Sequence, residues 1–194
     1  AESIADLNPS SSADLIRQIP GIRSEASGGE GNANIAVRGI PVSTGGARYI
    51  QLQEDGLPVL EFGDIVFGNA DNFVRADRNV GRVEAVRGGS ASTFASNSPG
   101  GVINFISKTG LEEGGAVAGT IGIDHETYRL DFDYGGALDA TSYFHVGGFY
   151  RTGEGVRDTG FNGKEGGQIK ANLTTEFDGG YIRVHGKYLD DSTP

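Results

Sequence analysis

The 194-residue chain contains no cysteine, no methionine and no tryptophan. Without cysteine there is no disulfide, no thiolate metal site and no cysteine nucleophile. No stretch approaches the roughly 18 apolar residues of a membrane-spanning helix, and no secretory leader is visible. A chain that opens at Ala1 and holds no methionine is expected to be a processed product or a cut fragment. Basic runs are also missing. The 16 Lys and Arg residues stand against 26 Asp and Glu, a net charge of −10, which argues against a nucleic-acid surface. Hydrophobic residues are only 37% of the chain, too few for a large helical core.

What the chain has in excess is glycine, 33 residues, which points to turns and short strands. Residues 79–110, "NVGRVEAVRGGSASTFASNSPGGVINFISKTG", set two apolar strand-like runs around Gly88-Gly89 and Pro99-Gly100-Gly101. Glycines between strands can cradle a phosphate, but the required patterns fail here. Gly100-Gly101 is followed by Val102 and no lysine; "GEGNAN" (29–34) lacks the third glycine of a dinucleotide turn; "GGSAS" ends in Ser where a nucleophile elbow needs Gly. His125, His145 and His185 are not at metal-ligand spacing and read as turn or strand-face polar residues. The acidic stretch 63–77, with Asp64, Asn69, Asp71, Asn72 and Asp77, does not match the spacing of a calcium loop and reads as a turn-rich loop, with calcium as the lesser alternative. No acid–base pair or triad stands out, so the chain reads as a non-enzyme without a cofactor or metal. The glycines are better explained by backbone geometry: tight corners and close approach of one segment to another.

The pattern changes near residue 110. Before it, "SSSADLIRQIPG" reads as one helix, with Ser11 and Asp14 at capping-box spacing, a stop at Pro20-Gly21, and Ala13, Ile16 and Ile19 on one face. Short strands are expected at 34–40, 49–58, 82–88 and 102–108, and at most a short helical turn at 90–95. After residue 110 come five runs of roughly ten residues separated by Gly, Asp or Asn turns, and several of them alternate strictly. Tyr128, Leu130, Phe132 and Tyr134 face away from Arg129, Asp131 and Asp133. Ile169, Ala171, Leu173 and Phe177 oppose Gln168, Lys170, Asn172 and Glu176, and Ile182, Val184 and Tyr188 oppose Arg183, His185 and Lys187. Such alternation suits a soluble sandwich or meander, or a transmembrane barrel with apolar residues toward lipid. Full charges on the polar faces and aromatics near strand ends tilt toward the barrel.

The order of motifs resembles TonB-dependent outer-membrane receptors, which pair an N-terminal plug with a barrel of about 22 strands. The matching blocks are "SADLIRQIPGI" (12–22), "NIAVRGI" (34–40), "LQEDGLPV" (52–59) and "GRVEAVRGGSASTFASNSPGGVINFISKTG" (81–110), followed by the hairpin-like runs. One departure is Phe94-Ala95-Ser96-Asn97, where the family often has Tyr-Gly. The resemblance implies an α+β plug over 1–110 and, over 111–194, the first five or so antiparallel strands of an incomplete transmembrane β-barrel. It implies residence in the bacterial outer membrane, contact with its lipid, and uptake of a scarce bulky solute such as a ferric siderophore, cobalamin, haem or an oligosaccharide. The TonB energy-transducing complex would engage a segment before Ala1. The resemblance further implies a plug–barrel lock at Arg38 and Arg87, each preceding a glycine, with Glu84 on the same strand as Arg87.

The resemblance also implies that outward plug loops meet the solute: 23–33, 41–49 (with Arg48) and 61–74, where Phe67, Asp71, Asn72 and Phe73 combine aromatics with polar groups suited to a sugar or flat chelate, the alternative being that the phenylalanines pack the plug core. Gly39, Gly56, Gly88, Gly100 and Gly101 are expected to be structural turns. Two other classes are compatible with composition alone. One is a soluble Gly/Asp-rich binding or adhesion module, which a chain ending near 194 would favour. The other is a polysaccharide hydrolase, which would need paired carboxylates that nothing here organises.

Overall fold

The computed structural model describes residues 4, 9–26, 29–40, 49–59, 71–96, 98–123, 126–155 and 160–193. Phe67 and Arg48, and with them most of the 41–49 and 61–74 loops, lie outside the described residues. The chain forms two compact units: residues 1–76 with 80–107, and residues 77–79 with 108–194.

The first unit is a small α+β assembly. Helix α1 (Ser12–Arg17) begins where the serines end: the Ser11 side chain accepts from the Asp14 amide at 3.4 Å. The reciprocal bond reaches one residue further back than the capping-box spacing predicts, since Asp14 accepts from the Ser10 amide and hydroxyl at 3.1 and 2.6 Å. Ala13, Leu15 and Ile16 are buried, and Ile19 packs against the same core. A strand, β1 (Ile22–Glu25), follows at once and pairs antiparallel with β2 (Asn34–Val37). Residues 23–25 are therefore strand where the sequence suggested a loop. Only Ile22 is apolar in this strand, so it is defined by its partner rather than by its own pattern.

A four-stranded mixed sheet completes the unit in the order β4, β3, β6, β5: β3 (Ile50–Glu54), β4 (Leu57–Pro58), β5 (Val80–Arg87) and β6 (Gly101–Ser107). Strands β3 and β6 run parallel, and β5 and β6 antiparallel. A 3₁₀ turn, Gly89–Thr93, occupies the predicted short helix. Leu52, Ile103 and Phe105 are fully buried together with Leu15, Ile16, Ile35 and Val74. The β3–β4 corner is Asp55-Gly56, both at positive φ (52° and 85°), the Asp-Gly pair that a tight hairpin selects. Its carboxylate accepts from the Ser107 amide and hydroxyl at 2.8 and 2.7 Å, tying the corner to the sheet. Gly39 and Gly88 also turn at positive φ, whereas Gly100 and Gly101 are set by crowding: a Cβ would lie 2.8 Å from the Tyr49 carbonyl oxygen and 2.7 Å from that of Val86.

The second unit is a five-stranded antiparallel meander, β7 (Gly114–Gly122), β8 (Thr127–Ala137), β9 (Ser142–Gly153), β10 (Lys164–Phe177) and β11 (Gly180–Ser192), paired in chain order. β7 and β11 are its two edges, and no barrel is closed among the described residues. The tight β10–β11 turn places Gly179 at φ 91°. At the β8–β9 turn the Asp139 carboxylate accepts from the amides of Thr141 and Ser142, each at 2.8 Å, which holds it ionised below the usual carboxylate range.

The sheet is inverted relative to a soluble one. Asp131, Asp133, His145, Arg151, Gln168, Asn172 and Thr174 are buried. Their strand neighbours Leu130, Tyr150, Ile169 and Leu173 are 43–54% exposed, and Ile182 and Val184 are both 63% exposed. In water such a face would leave a wide apolar surface uncovered. A lipid-facing sheet has this arrangement, with strands long enough to cross a bilayer.

Candidate functional site

The densest polar cluster lies on the buried face of the second unit and is built on Asp133. Residues 77–79 and Lys108 belong to this unit, although their chain neighbours Ala76, Val80 and Ser107 belong to the first. Asp133 Oδ1 accepts from Arg78 Nε at 2.7 Å and Oδ2 from Lys108 Nζ at 2.8 Å. From the adjacent strand, His145 Nε2 stands 3.5 Å from Asp133 Oδ2. Asp77 accepts from the Asn79 amide and side-chain nitrogen at 2.9 and 2.8 Å and from Gln168 Nε2 at 2.7 Å. Asn172 Nδ2 donates to the Lys108 carbonyl at 2.7 Å, and the Lys108 amide donates to the Asn79 carbonyl at 2.8 Å.

The period-two alternation explains why these groups converge. Asp133, Gly147, Lys170 and Lys187 form one row across β8 to β11, and Gly135, His145, Asn172 and His185 the next. The glycines in these rows make room for the incoming segments. A Cβ on Gly147 would lie 2.8 Å from Asn79 Oδ1, and one on Gly135 would lie 2.8 Å from Gly110 Cα. Further along the same face, Arg129 grips Asp131 through two bonds of 2.7 Å and Arg151 grips Asp191 at 2.9 and 2.6 Å. Both guanidiniums flank the Phe149 ring, at 4.1 and 5.6 Å from its centroid. Such bidentate pairs are directional and rigidify the wall.

Sequence reasoning named Asp77 only among the acidic residues of 63–77 and did not single out Arg78, Asn79 or Lys108. Asp133, which Arg78 and Lys108 share, is 55 residues from Arg78, and no local pattern reports that meeting.

The expected lock residues lie in the first unit. Arg38 and Arg87 converge on Gly21: a Cβ there would be 2.8 Å from Arg38 Nη2 and 3.3 Å from Arg87 Nη1. Arg87 Nη1 donates to the Pro20 carbonyl. Among the described residues no carboxylate pairs with either guanidinium. Glu84 is bound instead to Arg82, at 2.7 Å on the same strand face.

The expected solute loop is divided. Asp71 is 1% exposed and turned inward, accepting from the Ala33 amide at 3.1 Å and from the Ser12 hydroxyl at 3.2 Å. Burial raises its carboxyl above the ordinary 3.8, partly offset by those bonds. Phe73 is half exposed, and the Asn72 carbonyl accepts from Arg75 Nη1 at 2.8 Å. Among the described residues no group of three His, Asp or Glu side chains could hold a metal ion.

Comparison with known proteins agrees with this architecture. Residues 1–102 match the family described as TonB-dependent Receptor Plug Domain. The ferric enterobactin receptor of Pseudomonas aeruginosa is 26% identical over 99% of this chain, and the vitamin B12 transporter BtuB of Photobacterium profundum is 30% identical over 60% of it. The chain spans 31% and 18% of the lengths of these two relatives. Among solved structures, the ferric yersiniabactin uptake receptor FyuA from Yersinia pestis superposes with a TM-score of 0.72 at 20% identity, covering 96% of this chain and 30% of its own. The siderophore receptor PirA from Acinetobacter baumannii gives 0.68 at 21% identity, covering 95% and 30%. With the family match spanning more than half of its residues, the chain belongs to the TonB-dependent receptor plug domain family.

Proposed function

We propose that this chain is the plug and the first barrel strands of a bacterial outer-membrane receptor that takes up a ferric siderophore with energy supplied through TonB. One observation carries the reading: a plug-family unit is followed in the same chain by a sheet whose apolar face is exposed and whose charged face is buried. A soluble binding module has no use for that inversion. Relatives named as ferric enterobactin receptors, and structural neighbours named as siderophore receptors, favour a ferric chelate over cobalamin. No bond of the solute is made or broken. The receptor binds it on the outer side, and movement of the plug opens the lumen.

In this reading the Arg38 and Arg87 guanidiniums form a cationic fork around Gly21 that takes carboxylates from later barrel strands. Asp71 positions the loop from within, and Asn72 and Phe73, with Phe67 and Arg48, meet the solute. The test is direct. The full-length gene, expressed in a Gram-negative strain lacking its own siderophore receptors, should restore radioiron uptake from a catecholate chelate, and only when TonB is present. Uptake independent of TonB, or none from any ferric chelate, would overturn the reading. For the fork, Arg38→Ala with Arg87→Ala should leave the receptor in the membrane but make its plug more sensitive to added protease. Unchanged protection would remove the two arginines from the lock.

A further inference from the structure

We infer that Asp77, Arg78, Asn79 and Lys108 are a pivot that remains on the barrel wall while the rest of the plug rearranges, so that the mobile boundary lies at the 76/77, 79/80 and 107/108 peptide bonds. The inference rests on the receptor reading for its consequence, but its physical content stands on the second unit alone. All three places where the chain passes from one unit to the other adjoin these four residues. Each of the four is fixed to the strands or to its neighbour. Arg78 and Lys108 share Asp133, Asp77 holds Gln168, Asn172 holds the Lys108 carbonyl, and the Lys108 amide closes on Asn79.

The wall is shaped for them as well. Gly147 leaves its Cβ space to Asn79 Oδ1. Asn79 is 1% exposed and Asp77 6% exposed, so these bonds are shielded from water and are stronger for it. On the other side of the 79/80 and 107/108 boundaries the bonds are the backbone pairs of β5 and β6, which end at Val80 and Ser107. The Lys108–Asn79 bond lies one pair beyond them, and only there do Asp133, Gln168 and Asn172 add side-chain bonds from the strands. Cooperative opening in proteins follows such divisions. A segment that belongs by its bonds to the wall should open with the wall.

The test is native-state hydrogen exchange of the full-length receptor in detergent, with urea raised through a range below barrel unfolding. Two amides report the pivot: that of Asn79, bound to Asp77, and that of Lys108, bound to Asn79. Both should keep the protection and urea dependence of β8 and β9 amides, while amides of 50–54 and 101–107 open at lower urea. In Asp133→Asn the Asn79 and Lys108 amides should exchange at least tenfold faster, with β9 unchanged. The inference is overturned if these two amides open together with 101–107 in the wild type, or if Asp133→Asn leaves them untouched. Exchange is read on the protein whether or not it transports, so failure of the pivot and failure of the receptor reading are told apart: the first shows in these amides, the second in the uptake assay.

Discussion

Asp14 lies on helix α1 and Asp71 accepts from Ser12 of the same helix, yet acid acts on the two carboxyls in opposite directions. Burial pushes the Asp14 carboxyl upward, but hydrogen bonds with Ser10 and Ser11 and the charge of Arg17 bring it below 3.8. Its contribution to stability is present at neutral pH and is lost as pH falls through the folded value. For Asp71 burial wins and the carboxyl is raised. Its contribution is full below the unfolded value of 3.8 and is lost as pH rises through the raised one. We therefore expect Asp71→Asn to become progressively less harmful, relative to wild type, between about pH 4 and about pH 7. The urea midpoint of the first unit in the full-length protein, followed at the two ends of that range, checks this. A difference that stays constant or grows with pH would contradict it.

At the scale of elements, the barrel strands carry their orientation in the alternation itself. Leu130 and Asp131 are adjacent, and one is exposed while the other is buried. On the lipid side a lysine near the bilayer midplane costs about 2–4 kcal/mol, so Leu130→Lys should lower the folded fraction in vesicles strongly. Leu130→Phe should be close to neutral, and heat-modified gel mobility separates the two. Equal tolerance of both would place this face in water. Strands β8, β10 and β11 were legible because apolar and polar residues alternate along them, and β7 and β9 through runs of roughly ten residues bounded by Gly and Asp turns. Helix α1 was legible through its serines and its Pro-Gly stop. Strand β1 was not, since Arg23, Ser24 and Glu25 follow a turn without an apolar pattern and become a strand only opposite Asn34–Val37. The Asp133 cluster was hidden for a related reason: Asp77, Arg78 and Asn79 look like any polar turn until register brings Gln168 and Asp133 to them.

At the scale of the whole molecule, the two units differ in what they need in order to stand. The first has an apolar core of its own, centred on Ile16, Leu52, Ile103 and Phe105. The second has an exposed apolar face and two open edges, β7 and β11. Unpaired strand edges are neither tolerated in lipid nor safe in water. Residues 111–194 alone should thus aggregate in plain buffer and stay dispersed only in detergent, which light scattering would show. A monomeric, cooperatively folded fragment in buffer would count against the barrel. Whether the apolar face of this sheet meets lipid is tested by site-directed spin labelling of residues 128–134 along β8 in the full-length protein in lipid vesicles. Labels at 128, 130, 132 and 134 should collide with oxygen dissolved in the bilayer, while those at 129, 131 and 133 should be shielded from it. Accessibility without a period of two, or with the even positions open to a water-soluble relaxant instead, would contradict a lipid-facing sheet.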